Sequence, residues 1–265
     1  MRCESAATGP DISASSTSIE GGLVPQWARD GGRERLLARL KDPDTGRRVR
    51  AEIAGAIENE RGGGDPANIT LASCGFNRAL AGKNLSQVLR DRGKPVTSAA
   101  AADLVVDIVE KGSCSAVYHA IGEDDLVRIL KHPATMIASD AAPGEPEFGR
   151  DVPHPRAYGT FARVLGVYVR EQHVLSLEDA VRKMSSFPAS RMRLVDRGVV
   201  RPGMKADLAV FDAATIKDLA TYEQPHQYAA GVQVVLVNGQ VALENGKMTG
   251  ARPGRVLYGP AYRPR

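Results

Sequence analysis

A single carboxylate at the end of an apolar run constrains the fold of this chain more than any other feature of its sequence. The run is Thr135-Met136-Ile137-Ala138, which predicts a buried strand, and it leads directly into Ser139-Asp140. The loop that follows closes with His-Pro-Arg-Ala-Tyr-Gly-Thr-Phe at 154–161. Where strands and helices alternate around a barrel, catalytic side chains lie at the C-terminal ends of the strands. Asp140 is therefore a candidate catalytic residue, and a cap of the next turn is its alternative role.

Hydrophobic spacing predicts an α/β protein. Helical spacing covers Leu36 to Leu40, 49–57, 84–93, 98–110, 123–131, 158–172 and 176–186, and strand-like runs cover 68–73, 116–118 and 135–138. The order of the elements between 116 and 138 is that of a βαβ unit. Residues 1–26 are rich in Ser, Gly, Thr and Pro, which by itself indicates a tail or loop. After Val195, short apolar runs are separated by Pro202-Gly203, Asn238-Gly239 and Asn245-Gly246, which predict turns between β-strands.

Several motifs follow one another in a fixed order along the second half of the chain. They are Ser139-Asp140, the 154–161 sequence, Leu-Ser-Leu-Glu-Asp-Ala at 175–180, Pro188-Ala189, Ala-Asp-Leu at 206–208 and Thr-Gly-Ala-Arg-Pro-Gly-Arg at 249–255. In this order they resemble the N-acyl-D-amino-acid deacylase (D-aminoacylase) family of the amidohydrolase superfamily. The resemblance is strong from about 136 to 257 and fainter from 14 to 133.

The resemblance implies the C-terminal half of such an enzyme, with a partial TIM-barrel-like α/β fold. Residues 1–195 would hold the last barrel strands and helices, including a mixed α/β insertion at about 28–112. Residues 196–265 would form the C-terminal part of a small β-sandwich. The length agrees with this expectation, because a complete barrel typically needs about 250 residues by itself. We therefore expect the N-terminal, metal-binding half to be missing from this chain.

The chemistry implied by the resemblance requires a metal. A bound Zn²⁺ lowers the pKa of water to about 7, and a neighbouring carboxylate can take the proton of that water. The resemblance places Asp140 in the role of this base and makes it a possible zinc ligand. A zinc site needs about three protein ligands. The histidines are scattered and form neither HxH nor HExxH, so we expect the other zinc ligands to be absent. The five histidines are His119, His132, His154, His173 and His226. His132 is expected to end a helix.

Three further residues are candidates for substrate binding. Arg156 could hold the substrate carboxylate in a bidentate pair, and an ion pair with Asp151 or Glu147 is the alternative. The resemblance assigns His154 to a loop that shapes the mouth of the pocket. It also places Ser15 at the end of the seventh barrel strand.

Composition narrows the partners and the location. The chain has 35 basic and 31 acidic residues, a net charge of +4, and no basic block, which argues against a nucleic-acid partner. The sequence has no run near the ~20 apolar residues of a membrane span, so no membrane partner is expected. Cys3, Cys74 and Cys114 lack a CxxC spacing and are expected to be reduced thiols of a cytoplasmic protein.

Taken with the resemblance, these features predict a hydrolase that cleaves the amide bond of N-acyl-D-amino acids. The contrasting hypothesis is a non-catalytic remnant or assembly fragment that binds a separate chain supplying the N-terminal half. Self-association of the chain through exposed strand edges is a further expectation. A third is another amidohydrolase branch, of the dihydroorotase or hydantoinase type.

Overall fold

The computed structural model of the chain describes residues 14–141, 151–259 and 262–263. An antiparallel three-stranded sheet of order β1-β3-β2 lies in its N-terminal part; the strands are β1 (Ala14–Ser18), β2 (Ile69–Ser73) and β3 (Ser115–His119). The helices of this part are α1 (Ile19–Leu23), α2 (Gln26–Arg29), α3 (Arg33–Lys41), α4 (Pro43–Asn59), α5 (Leu85–Asp91) and α6 (Ser98–Lys111). Short 3-10 turns at Pro66–Asn68 and Arg78–Leu80 flank β2.

Local sequence explains where these helices begin. The Asp42 side chain accepts a hydrogen bond from the Thr45 N–H, and Pro43 occupies the first turn of α4. Asn84 forms a capping box with Gln87 at the start of α5. The apolar face of α4 packs against α6, and the core to which both helices contribute includes the fully buried Tyr118 of β3.

A second group of helices follows β3. It comprises α7 (Glu123–Lys131), α8 (Arg156–Arg163), α9 (Leu177–Met184) and α10 (Ser186–Arg191). Helix α8 continues without a break into a π-helix, Val164–Glu171. A second core joins α7, the π-helix and α9, with Ile137 and Ile216 among its buried members.

The C-terminal part forms a four-stranded antiparallel sheet of order β4-β5-β6-β7. The strands are β4 (Leu208–Phe211), β5 (Val232–Val237), β6 (Gln240–Glu244) and β7 (Lys247–Met248). The φ angles are positive at both central residues of two tight hairpin turns, as such turns require. They are 48° at Asn238 and 80° at Gly239, and 50° at Asn245 and 75° at Gly246. The turns predicted between strands at Asn238-Gly239 and Asn245-Gly246 are confirmed. Pro202-Gly203 also lies in a turn, but among the described residues it precedes β4 and joins no two strands. Between β4 and β5 lies the 212–231 connection, closed by a hydrogen bond from the Asp212 N–H to the Gly231 carbonyl.

The predicted strand at 135–138 is wrong, and with it the βαβ unit. The Ile137 N–H donates to the Lys183 carbonyl of α9, and within the described ranges no strand pairs with this segment. The strand at 116–118 is confirmed as β3. However, β3 pairs antiparallel with both of its neighbours, so a parallel crossover is not formed.

Residues 14–26 are not the tail or loop that their composition indicates, because they form β1, α1 and the start of α2; residues 1–13 lie outside the described ranges.

The expectation of reduced thiols is also wrong for Cys74 and Cys114, which form a disulfide. The pairing of β2 with β3 aligns Ser73 with Ser115 and so brings the two cysteines together. A cytoplasmic location stays a prediction, without the support of reduced thiols. Across the described residues, no helix has the length and apolar character needed to cross a membrane.

Candidate functional site

Asp140 and Arg156 form an ion pair. Arg156 Nη2 lies 2.8 Å from Asp140 Oδ2. The Asp140 side chain is 62% exposed, whereas that of Arg156 is 11% exposed. The structure thus joins the predicted base to the predicted carboxylate binder. Of the alternative partners of Arg156, Asp151 binds His226 instead, and Glu147 lies outside the described residues.

The segment that carries Asp140 is held by helix α9. The ammonium group of Lys183, fully buried, donates to the His132 carbonyl at 2.5 Å and to the Thr135 carbonyl at 3.2 Å. Arg182 adds a bond to the Pro133 carbonyl. Burial lowers the pKa of Lys183, and the Asp179 carboxylate opposes this effect. These contacts fix the approach to Asp140, which has a positive φ of 48°.

His154 is buried, and both of its ring nitrogens contact the main chain. Nδ1 accepts a hydrogen bond from the Arg156 N–H at 3.1 Å, so Nε2 carries the proton and donates to the Ala14 carbonyl at 3.1 Å. His154, two positions before Arg156, is thus hydrogen-bonded to strand β1. Nε2 also lies 3.4 Å from the Tyr222 hydroxyl, so both ring nitrogens contact protein groups.

Ser15, the remaining candidate, lies on β1 opposite Tyr118. The Arg61 guanidinium lies 3.5 Å from its hydroxyl oxygen. Ser15 is joined to the Asp140–Arg156 pair through its neighbour Ala14 and His154. The structure therefore brings Asp140, Arg156 and His154 together and places Ser15 at the edge of this group.

Sequence reasoning missed the residues of the 212–231 connection that reach this group. The Tyr222 ring packs edge-on against His119 and His154, with centroids 4.4 and 5.2 Å apart. His226 bridges Tyr158 and Asp151. Burial, followed by Tyr228 and Asp151, raises the pKa of Tyr158, so its hydroxyl stays protonated and can donate.

The described residues do not fit a zinc site. Among them, no group of three or more His, Cys, Asp or Glu side chains is placed to hold a metal ion. His132 ends α7 as predicted, and its Nδ1 accepts a bond from the Ala134 N–H. The Asp140 carboxylate is engaged by Arg156. The chemistry that these residues can perform by themselves is proton transfer at Asp140 and anion binding at Arg156.

Comparison with known proteins confirms the resemblance to N-acyl-D-amino-acid deacylases. A D-aminoacylase of Alcaligenes xylosoxydans xylosoxydans is 42% identical over 178 residues, which cover 67% of this chain and 34% of that relative. An N-acyl-D-aspartate deacylase of the same organism is 39% identical over 177 residues, covering 66% of this chain and 33% of that relative. The chain thus spans about a third of the length of the curated relatives it matches.

Solved structures agree. An N-acyl-D-glutamate deacylase from Bordetella bronchiseptica, solved in complex with zinc and a phosphonate inhibitor, superposes with a TM-score of 0.63 at 33% identity. The match covers 77% of this chain and 39% of that one. The model of the amidohydrolase family matches residues 94–243, which is more than half of the chain. This chain belongs to the amidohydrolase family.

Proposed function

We propose that this chain is part of an enzyme that hydrolyses the amide bond of N-acyl-D-amino acids to a carboxylate and a free D-amino acid. The observation that carries the proposal is the Asp140–Arg156 pair, which joins a proton acceptor to an anion-binding group at 2.8 Å. The relatives support it, since those described above are D-aminoacylases and N-acyl-D-amino-acid deacylases. Because the described residues do not form a zinc site, the steps below are those of the chain's own side chains.

Arg156 binds the carboxylate of the D-amino acid, for which a guanidinium is geometrically suited. Asp140 takes a proton from the attacking water and passes it to the amide nitrogen as the C–N bond breaks. In the structure Arg156 binds Asp140 itself, so the substrate carboxylate has to displace Asp140 from the guanidinium. Substrate binding then frees Asp140 to act as the base.

The same proposal covers the domain organisation. Residues 1–195 would be the C-terminal part of an amidohydrolase barrel with an insertion at about 28–112, and residues 196–265 would be part of a small β-sandwich. The mixed α/β structure and the separate four-stranded sheet after Val195 support this division. Strand β2 lies inside the insertion and pairs with β3 outside it, so the two parts share one sheet.

The second candidate function is a non-catalytic assembly fragment. It is favoured by the absence of a metal-ligand group among the described residues and by apolar side chains that remain exposed around the C-terminal sheet. The exposed residues include Val195, Val200, Met248 and Val256.

Hydrolysis of N-acetyl-D- and N-acetyl-L-amino acids by the complete enzyme of which this chain is proposed to be part, with Zn²⁺ supplied, tests the first function. We expect Asp140→Asn to lower kcat by about 10²- to 10⁴-fold, the usual effect of removing a general base. Arg156→Lys should act mainly on KM, because it weakens carboxylate binding in the ground and transition states alike.

Asp103→Asn is the matched control. Asp103 is an exposed carboxylate in an ion pair with Arg50 at 3.0 Å, far along the chain from the site, and its loss should leave turnover unchanged. Equal activity of Asp140→Asn and the parent chain would remove the central assignment. A preference for the L-series would indicate another amidohydrolase branch. No turnover together with no retained zinc, measured by elemental analysis, would favour the assembly fragment.

A further inference from the structure

His226, in the 212–231 connection, contacts both ends of the short segment that carries Arg156. Its Nδ1 lies 2.7 Å from the Tyr158 hydroxyl, and its Nε2 lies 3.2 Å from the Asp151 carboxylate. Nε2 also lies 3.2 Å from the Asp151 main-chain carbonyl. One largely buried ring thus bridges residues on either side of Arg156, from a part of the chain about 70 residues away.

The protonation of these groups follows from their chemistry. Both Asp151 oxygens are acceptors, so Nε2 of the ring carries a proton and donates it. In the neutral ring Nδ1 is then an acceptor, and the Tyr158 hydroxyl donates to it. The raised pKa of Tyr158 keeps this hydroxyl protonated. All three groups therefore have complementary roles, and the chain of bonds is complete from Asp151 to Tyr158.

Among the described contacts, two hydrogen bonds to the N-terminal sheet also hold the same segment, residues 151–158. The Val152 N–H donates to the Ala72 carbonyl next to the end of β2, and His154 donates to the Ala14 carbonyl at the start of β1. These anchors fix the first half of the segment. His226 adds the contact to Tyr158, which follows Arg156 and lies in the first turns of α8.

We propose that His226 is a positioning residue that, through Asp151 and Tyr158, holds Arg156 in place to bind a carboxylate. This role rests on the proposed function, in which Arg156 binds the substrate carboxylate. It also makes the 212–231 connection, which lies beyond Val195 and by sequence belongs to the C-terminal β part, a component of the site. His226 acts on the ligand through its neighbours and does not touch it.

The test uses the full chain and two variants, His226→Phe, which keeps a ring and removes both hydrogen-bonding nitrogens, and the milder Tyr158→Phe. The first measurement is the exchange of the Arg156 Nε proton with water by NMR. The second is the affinity for N-acetyl-D-alanine relative to its uncharged primary amide. We expect His226→Phe to speed the exchange and to reduce the acid-to-amide preference by about tenfold, the usual scale for loss of a residue that orients a binding group. Tyr158→Phe should act in the same direction, but less.

Gln227→Ala is the matched control, since the Gln227 side chain binds only within its own connection, at the Gln224 carbonyl among its described contacts. It should leave both measurements unchanged. If His226→Phe and Tyr158→Phe are folded and match the parent chain in both, the positioning role is wrong. If the parent chain itself does not prefer the acid, carboxylate binding by Arg156 is wrong. The exchange measurement then decides the positioning role alone: faster exchange supports it, and unchanged exchange overturns it.

Discussion

At the scale of single residues, Lys183 is unusual because lysines are rarely fully buried. Its ammonium group donates hydrogen bonds to two main-chain carbonyls. Lys183→Met would keep the volume and leave the His132 and Thr135 carbonyls without this donor. We expect a loss of about 1–3 kcal/mol in the free energy of unfolding, the penalty for unsatisfied buried polar groups. Denaturant unfolding measures it. Lys111→Met, which removes an exposed ion pair with Asp107, should change stability by less than about 1 kcal/mol.

Asp218 predicts a pH dependence of stability. Burial raises its pKa above the ordinary 3.8, against the opposing effects of the Ala220 N–H and Arg163. The folded state therefore binds the proton more tightly than the unfolded chain, and ionised Asp218 destabilises the fold at neutral pH. Asp218→Asn should raise the unfolding free energy near pH 7. This advantage should shrink as the pH falls through the raised pKa towards 3.8.

Asp212→Asn, also in the 212–231 connection, should change the unfolding free energy in the opposite direction to Asp218→Asn. The Ala214 N–H, followed by the Thr215 hydroxyl, lowers the pKa of Asp212, so its ionised form stabilises the fold above the ordinary pKa. The variant should lose stability at neutral pH and converge with the parent chain in acid. Denaturant unfolding at several pH values measures both effects. If the difference in unfolding free energy between Asp218→Asn and the parent chain does not change with pH, the burial argument is wrong.

The candidate site was predictable from sequence only in part. Asp140 and Arg156 stand out because each occupies a recognisable motif, and the structure joins them directly. Lys183 and His226 could not be found this way. Their partners lie 51 and 75 residues away along the chain, and a single buried lysine or a lone histidine has no local pattern.

At the scale of elements, helix α8 depends on a glycine. A Cβ at Gly159 would overlap the Asp218 carboxylate, so Gly159→Ala should displace one of the two. We expect a loss of about 1–3 kcal/mol, as for an overpacked core. Gly55→Ala in α4 is the control, because no atom lies within 4 Å of its added Cβ. That variant should gain about 0.5–1 kcal/mol from helix propensity. Equal thermal unfolding of the two variants would contradict the close packing of α8.

The helices were more predictable than the strands, for a physical reason. Helix α4 has its capping residue and its buried Val49, Ile53 and Ile57 within one short stretch. Strands depend on distant partners instead. The polar β1 forms a strand because β3 pairs with it, whereas the apolar 135–138 segment is bound by α9 and forms none.

At the scale of the whole molecule, the C-terminal sheet has an exposed edge. Among the described residues β4 pairs only with β5, and its Val210 is exposed. Such edges and apolar faces promote association. We expect the chain to form oligomers in light scattering, and Val210→Lys to reduce their fraction. Val96→Lys, at an exposed loop position before α6, should not. A monodisperse parent chain would contradict this prediction.

The change from α-helical to π-helical winding where α8 continues into the π-helix affects how the chain could accept a deletion. From Arg156 to Arg163 the helix is α-helical, and from Val164 to Glu171 each hydrogen-bonded ring contains one residue more. Tyr168, which lies in the π-helical turns, is fully buried in the second core. A single-residue deletion there, with a return to α-helical winding, would rotate Tyr168 relative to Arg156 while leaving both residues in the chain. The π-helix thus accommodates an additional residue without a loop, between Arg156 and the buried Tyr168.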